Sequence, residues 1–572
     1  MPRRSDRARP PGRFGFARGR GGNVAVLFAF LSVPMLMLTG AAVDYGFATR
    51  LETKLQAATD ATALLLCQTP LTTSNADLNL LAQTAMTGAM GAGNLVVDPL
   101  VITNNPRQIT LRARKLSTAF FGKFTGTTRI NPGSAAQCAT PLPKTFEIAL
   151  VLDNTGSMAA SSGGQSKLQA VQTAATNFVN SVYTDAAFSS ATRISIVPFA
   201  GAVAVDPSTY RYASWIDQNA VSSYHWTNVL QAGGSGFKNR FDIFSKLQGV
   251  YSGWGWGGCL ETLPYPLNVQ DGAPAPSNRD SYFLPLLAPD EPGDASTSYS
   301  AYSINRNTTY YSFNSYIDDD NGNCPALPYG TPFNTAEGQA CKYVRPQNAA
   351  PTSQNSSTGI PNGPNFGCTT QPLLRLTNNT SALKTLIGKM APLGATNIHE
   401  GFMWGWRTLS PKSVFTDTNP PAAYASSADS SNATTINKII ILMTDGTNSW
   451  TPNPNSPNGS LYFAAGYFQN ANGSNPNPRL PNTNQNVSDA ASARNALDAL
   501  TAAACKNAKD VNISIYTIGF SVPSDPIDSA GQTLLRNCAT NPGQFYLANN
   551  SDDLIKAFRQ IQASIGALRL TQ

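Results

Sequence analysis

The sequence predicts an α/β protein whose doubly wound parallel sheet carries a large disulfide-stapled insertion, preceded by a transmembrane helix and a small α+β region. Three observations predict it. The apolar runs Phe146–Leu152 and Ile439–Met443 read as buried parallel strands, and each runs into an aspartate at its carboxyl end, Asp153 and Asp445. Val24–Val43 is a run of twenty residues without a charge. Eight cysteines, with no Cys-x-x-Cys pair, fit disulfides of an exported chain better than zinc.

Taken in order, residues 1–23 form a basic segment, with seven arginines and one acid in Met1–Arg20. Residues 24–43 are long enough as a helix to cross about 30 Å of hydrocarbon. Arginines on one flank place the amino terminus in the cytoplasm and everything after Asp44 outside. Pro34 is tolerated in a membrane helix. A cleaved secretory signal fits poorly, because a helical stripe continues through Val43, Phe47, Leu51, Leu55, Ala58, Thr62 and Leu65. Strand-like runs follow at Asn94–Ile102, Gln108–Lys115 and Thr127–Gln137 within a region spanning 44–140. A long helix, half in the bilayer and half against a small sheet, is similar to a pilin.

From residue 144 to 570 the pattern is that of the second region. Asp153, Thr155 and Ser157 sit at alternate positions on the loop leaving the first strand, with Gly156 read as the point where the backbone bends. Leu393–Ile398 is a glycine-hinged loop bearing Thr396, leading into a helix over His399–Leu409, and Asp445 follows the strand Lys438–Thr444. These are hard oxygen donors. Together they resemble the von Willebrand factor A domain and its metal-ion-dependent adhesion site. The family's Asp-x-Ser-x-Ser loop falls on Asp153, Thr155 and Ser157, with Thr in place of the first Ser. Its separate threonine falls on Thr396 and its last aspartate on Asp445. The resemblance implies a divalent cation, Mg²⁺ first and Mn²⁺ or Ca²⁺ as alternatives, with one position left for a carboxylate from a protein partner. After the Arg193–Phe199 strand, the remaining elements are the helix Ala493–Lys509, the strand Val511–Phe520 and the helix Asp552–Ile565.

A second resemblance covers most of the chain. Arg20–Ala29 and Gly40–Gly46 look like the amino-terminal region of TadG-like proteins of the tight-adherence (Flp) pilus system, and Trp256–Glu261, Leu287–Pro292, Cys341–Tyr343, Gly363–Asn365, Trp404–Pro411 and Cys538–Thr540 look like landmarks of the same proteins. Related minor pilins carry a glutamate where Leu27 stands, so the resemblance implies a permanently anchored protein. An insertion at about 203–372, rich in Tyr, Asn, Ser, Gly and Pro and poor in helical periodicity, separates the second strand from the threonine loop. By position, Cys67 pairs with Cys138 and Cys505 with Cys538; Cys259, Cys324, Cys341 and Cys368 pair among themselves in one of three ways. Asp318–Asn323 lacks the spacing of an EF-hand loop and reads as a solvated turn. The Trp404–Ser410 stretch reads as core packing.

Charged residues make up 13% of the chain, which suits an exposed extracytoplasmic surface. The net charge of +7 is concentrated in Met1–Arg20, where topology explains it, so nucleic acid is not an expected partner. No catalytic or cofactor-binding residue emerges. His399-Glu400 lacks the second histidine of a zinc-protease helix, and Thr155 stands where a dehalogenase-like phosphatase would place its general acid. The expectation is a non-enzyme in the bacterial inner membrane: a single-pass pilus-assembly or adhesion component with its carboxyl-terminal domain periplasmic or extracytoplasmic. Its partners would be Tad pilus or envelope components. A structural envelope protein whose A domain scaffolds the insertion without metal is the alternative, and a metal-dependent hydrolase the third.

Overall fold

The computed structural model describes residues 22–567 apart from 70–72, 104–106, 127–128, 140–143, 163, 231–234, 292–312, 319–323, 325–334, 336–337, 352–357, 425–435, 455, 457 and 474–476. The basic segment up to residue 21, and Asp319–Asn323 of the acidic turn, lie outside the described residues. The chain divides into two compact units, Met1–Leu142 and Pro143–Gln572.

In the first unit, helix α1 (Gly22–Cys67) runs 46 residues through Pro34. Its apolar side chains from Val26 to Leu38 are mostly exposed, whereas Leu55, Ala58 and Leu66 further along are buried. The first surface suits hydrocarbon and the second a protein core. Helix α2 (Asn75–Met90), which the sequence reading missed, buries Leu78, Ala82 and Met86 four residues apart. Its signal was present in Ser74, whose hydroxyl accepts the Asp77 N–H at 3.1 Å as an N-cap. The sheet comprises β1 (Leu95–Val97), β2 (Val101–Thr103), β3 (Gln108–Lys115) and β4 (Gly133–Ala139), all antiparallel to β3. Two runs expected as single strands are divided. Asn94–Ile102 breaks at Asp98–Leu100, where Pro99 has no N–H for the ladder, and Thr127–Gln137 breaks at Asn131–Pro132. Cys67 and Cys138 form the expected disulfide, joining the end of α1 to β4.

The second unit is built on six strands: β5 (Phe146–Asp153), β6 (Arg193–Phe199), β7 (Leu374–Thr377), β8 (Asn437–Thr444), β9 (Ser514–Phe520) and β10 (Phe545–Ala548). Across the sheet the order is β7, β6, β5, β8, β9, β10. All neighbours are parallel except the edge strand β7, which runs antiparallel to β6. An antiparallel edge was not expected; the chain enters β7 from the insertion, so no crossover helix dictates its direction. Successive residues of β5 serve two cores: Ala149 and Val151 face one, Ile148, Leu150 and Leu152 the other. Helices α3 (Lys167–Thr184), α4 (Thr380–Lys389) and α8 (Ser551–Ala567) contribute to the second core; α5 (Ile398–Leu409) and α6 (Ala490–Asp510), with α7 (Ser529–Cys538), contribute to the first. Trp404 and Trp406 of α5 are core residues, 0% and 2% exposed. Cys505 of α6 and Cys538 of α7 are joined as expected, closing a separation of 33 residues. A loop of that length stabilises by about 3–4 kcal/mol in the chain-entropy account.

The insertion is ordered by its own chemistry. Cys259 pairs with Cys368 and Cys324 with Cys341. Contrary to the low helical periodicity expected, Arg240–Val250 is a helix, capped by Asn239 and burying Phe241, Ile243, Phe244 and Leu247. A second excursion, between β8 and α6, joins it through buried charge. Glu261, fully buried, receives Arg240 on one oxygen and Arg479 on the other, with Tyr462 donating its hydroxyl as well. Asp290 pairs with Lys342, both buried.

Candidate functional site

The strand order reverses its direction of growth at β5 and β8: from β5 the chain moves outward to β6 and β7, then returns to lay down β8 on the other side. Carboxyl ends of strands at such a point form a crevice. Asp153 closes β5, and Asp445 follows β8. Register brings them together, since Met443 lies opposite Leu152. The Thr444 hydroxyl donates to Asp153 Oδ2 at 2.6 Å, and the Thr155 N–H to Asp153 Oδ1 at 2.8 Å.

The hydroxyls gather above. Thr155 Oγ1 and Ser157 Oγ stand 3.0 Å apart, and Ser157 donates to Asp445 Oδ1 at 2.8 Å. Thr396 arrives from the other loop, held by the Ser449 hydroxyl, which accepts its N–H at 3.0 Å. A Cβ built on Gly446 would stand 3.9 Å from Ser157 Oγ and 4.0 Å from Thr396 Oγ1, so both hydroxyls border one space. The two loops are tied by the Gly156 N–H, which donates to the Gly394 carbonyl at 2.9 Å. Left-handed backbone falls at Gly394 (φ 98°) rather than at Gly156, and a side chain there would meet Thr369 Oγ1 at 2.5 Å. The five residues singled out from sequence thus converge.

Burial gives the cluster its electrostatics. Asp153 is 0% exposed, and burial, reinforced by the negative charge of Asp445, pushes its carboxyl up to about 7 against the Thr444 and Thr155 bonds. Among the described residues no cationic side chain pairs with Asp153. Asp445 is different. Burial raises it too, but Lys167 Nζ donates to its Oδ2 at 2.8 Å and also reaches Asp525 Oδ2 at 2.6 Å. Sequence reasoning missed Lys167. A usable signal lay in its place: a cation in the first turn of α3, where the helix dipole disfavours one, just after the Ser166 N-cap.

Among the described residues no three His, Cys, Asp or Glu side chains cluster as a metal cage. A cation here would rely on Thr155, Ser157 and Thr396 hydroxyls beside the carboxylates, a donor set that suits a hard ion and leaves it electron-poor. Asp153, buried without a compensating charge, fits such an ion. Beside the cluster lies a cavity of about 290 Å³ whose walls include Gly156, Gly394 and Ala395 together with Phe366, Trp450 and Phe463 from the two excursions. His399, considered for catalysis, is fully buried, its ring Nε2 2.8 Å from the Asn268 carbonyl.

Residues 22–65 match the family described as "Putative Flp pilus-assembly TadE/G-like". The apolar helix in this amino-terminal segment is a candidate membrane anchor. No curated protein matches the chain. Similar solved structures include the pilus adhesin SpaC from Lactobacillus rhamnosus GG, at 12% identity and TM-score 0.31, covering 83% of this chain and 34% of that one. The chain therefore spans about a third of SpaC. The vWF domain of the type V pili tip protein Mfa5 from Porphyromonas gingivalis is similar at 11% identity and TM-score 0.32, covering 75% of this chain and 98% of that one. The adhesive tip pilin GBS104 from Group B Streptococcus agalactiae is similar at 10% identity and TM-score 0.33, covering 74% and 100%.

Proposed function

We propose that the protein is an inner-membrane-anchored component of Tad (Flp) pilus assembly or surface adhesion, whose second unit is a doubly wound von Willebrand factor A domain over residues 144–570. In this reading the domain captures a protein partner through a divalent cation, Mg²⁺ first, held by Asp153, Thr155, Ser157, Thr396 and Asp445. The amino terminus lies in the cytoplasm and the A domain outside. The observation that carries the reading is the convergence of three hydroxyls and two buried carboxylates at the reversal point of the sheet, with Asp153 lacking a cationic partner among the described residues. When bound, the cation supplies a Lewis-acidic position that takes an outside carboxylate. Asp153 and Asp445 orient the hydroxyls, Gly394 holds the two loops in register, and the adjoining cavity receives the partner's neighbouring side chain.

Asp153→Ala and Thr396→Ala are each expected to lower Mg²⁺ or Mn²⁺ affinity about 10-fold or more, with the circular dichroism spectrum unchanged. Calorimetric titration checks it, and capture of envelope components should fall in parallel. A second reading is favoured by Lys167: because a buried ammonium already neutralises Asp445, the domain could scaffold the insertion without metal. Failure of the wild-type chain to bind either ion at millimolar concentration selects that reading.

A further inference from the structure

Within the first unit, one loop returns to the place where α1 leaves its charge-free stretch. Asp44 is the first charged residue after Val24–Val43, and it is 8% exposed. Its carboxylate accepts the backbone N–H groups of Phe120 at 2.8 Å and Phe121 at 3.0 Å. One turn earlier, Gly40 leaves the room that Phe121 fills: a Cβ there would stand 3.0 Å from the Phe121 Cβ. One turn later, Phe47 packs on Phe120 with ring centroids 4.9 Å apart. Positions 40, 44 and 47 share a helix face, so the loop is clamped to α1 at three successive levels.

What the loop turns outward is apolar and aromatic. Phe120 is 72% exposed, Phe121 42% and Leu116 40%, and Tyr45 on the helix is 73% exposed. Lys123 and Arg129 are exposed beside them. Rings flanked by cations at the end of an apolar span are the composition of a headgroup boundary. The exposed rings continue the apolar surface of Val26–Leu38, and the charge between, Asp44, is turned into the loop's amides. A carboxylate so covered does not face hydrocarbon.

We propose that the segment Leu116–Gly126 lies in the membrane interface together with Arg129, with Phe120 and Phe121 among the upper acyl chains and Lys123 and Arg129 on lipid phosphates. It rests on the reading of α1 as a membrane span. The loop then acts as a collar that fixes how deep the helix sits, with Asp44 at the border.

The test uses the full chain in vesicles of phosphatidylethanolamine and phosphatidylglycerol, carrying a bimane label on Thr118→Cys, Thr84→Cys or Val33→Cys. Lipids brominated high on the acyl chain are expected to quench the Thr118→Cys label several-fold more than the Thr84→Cys label, which sits on α2. Adding Phe120→Ser is expected to bring the Thr118→Cys signal down toward the Thr84→Cys level. Deeply brominated lipids report on Val33→Cys and so on the span itself. Equal quenching at Thr118→Cys and Thr84→Cys with Val33→Cys quenched overturns the collar alone; Val33→Cys left unquenched removes the membrane span and the collar with it. If Phe120→Ser does not fold, the comparison of the labelled chains decides.

Discussion

Two buried carboxylates in the second unit are treated in opposite ways. Glu261 binds the insertion to the excursion after β8: burial alone would push its carboxyl up, but Arg240 and Arg479 hold it below the usual range. Asp153 is equally buried and among the described residues has no such partner; burial and the neighbouring Asp445 charge push its carboxyl up to about 7. Among the described residues, the fold supplies two guanidinium groups to one buried carboxylate and none to the other. The paired charge fixes how two long loops meet, whereas the unpaired one leaves a carboxyl without a counter-charge at the carboxyl end of a central strand.

The largest expected effect breaks the paired side. Glu261→Gln leaves two guanidinium groups buried without a counter-charge and is expected to cost about 3–5 kcal/mol in chemical unfolding, with no rescue by Mg²⁺. Next comes the lysine that links the two chemistries. Lys167→Met strands Asp445 and is expected to cost about 3 kcal/mol in chelator, but added Mg²⁺ should restore much of it; a loss indifferent to Mg²⁺ would mean that Asp445 does not face the cation.

The smallest effect falls on Asp153. Near pH 4, where the folded wild-type carboxyl still holds its proton, Asp153→Asn is expected to stay within about 1 kcal/mol of wild type, because it replaces one neutral buried group by another. Its signature is the pH profile in chelator. The folded carboxyl holds its proton up to about 7, whereas the unfolded one releases it near its ordinary value of 3.8, so the folded state binds more protons between these values and stability falls as pH rises through them. Asp153→Asn should flatten that fall in melting temperature. Glu291, pushed up to about 7 by burial, has the same sign and leaves a residual slope. Glu261, whose carboxyl is held low, contributes nothing of this kind.

The sheet strands β5, β6 and β8 were legible because a buried parallel strand must be apolar throughout, and Ile439–Met443 admits little else. The meeting of Asp153 and Asp445 was legible for a related reason: each stands at the end of such a run, and neighbouring parallel strands in register end together. Lys167 escaped because its partner Asp445 is 278 residues away, and nothing local marks a charge that will be buried. Helix α2 escaped because its apolar residues do not keep to one stripe: Leu78, Ala82 and Met86 are buried while Leu80 is exposed, and its cap is a single serine. The joining of the excursion after β8 to the insertion had no local signal either. Arg479 meets Glu261 across 218 residues, and only the fold brings them within reach.

The Cys67–Cys138 bond also has a mechanical meaning. Cys67 ends α1, and Cys138 stands just before the first unit gives way to the second. If α1 is anchored in a membrane and the second unit is pulled, tension entering along the chain passes from Cys138 through the sulfur bridge into α1. Helix α2 and strands β1 to β3, which lie between the two cysteines in sequence, are left off the load path. Covalent bonds rather than a ladder of hydrogen bonds carry the strain, so a tethered pilus component could be tugged hard while its small sheet stays slack.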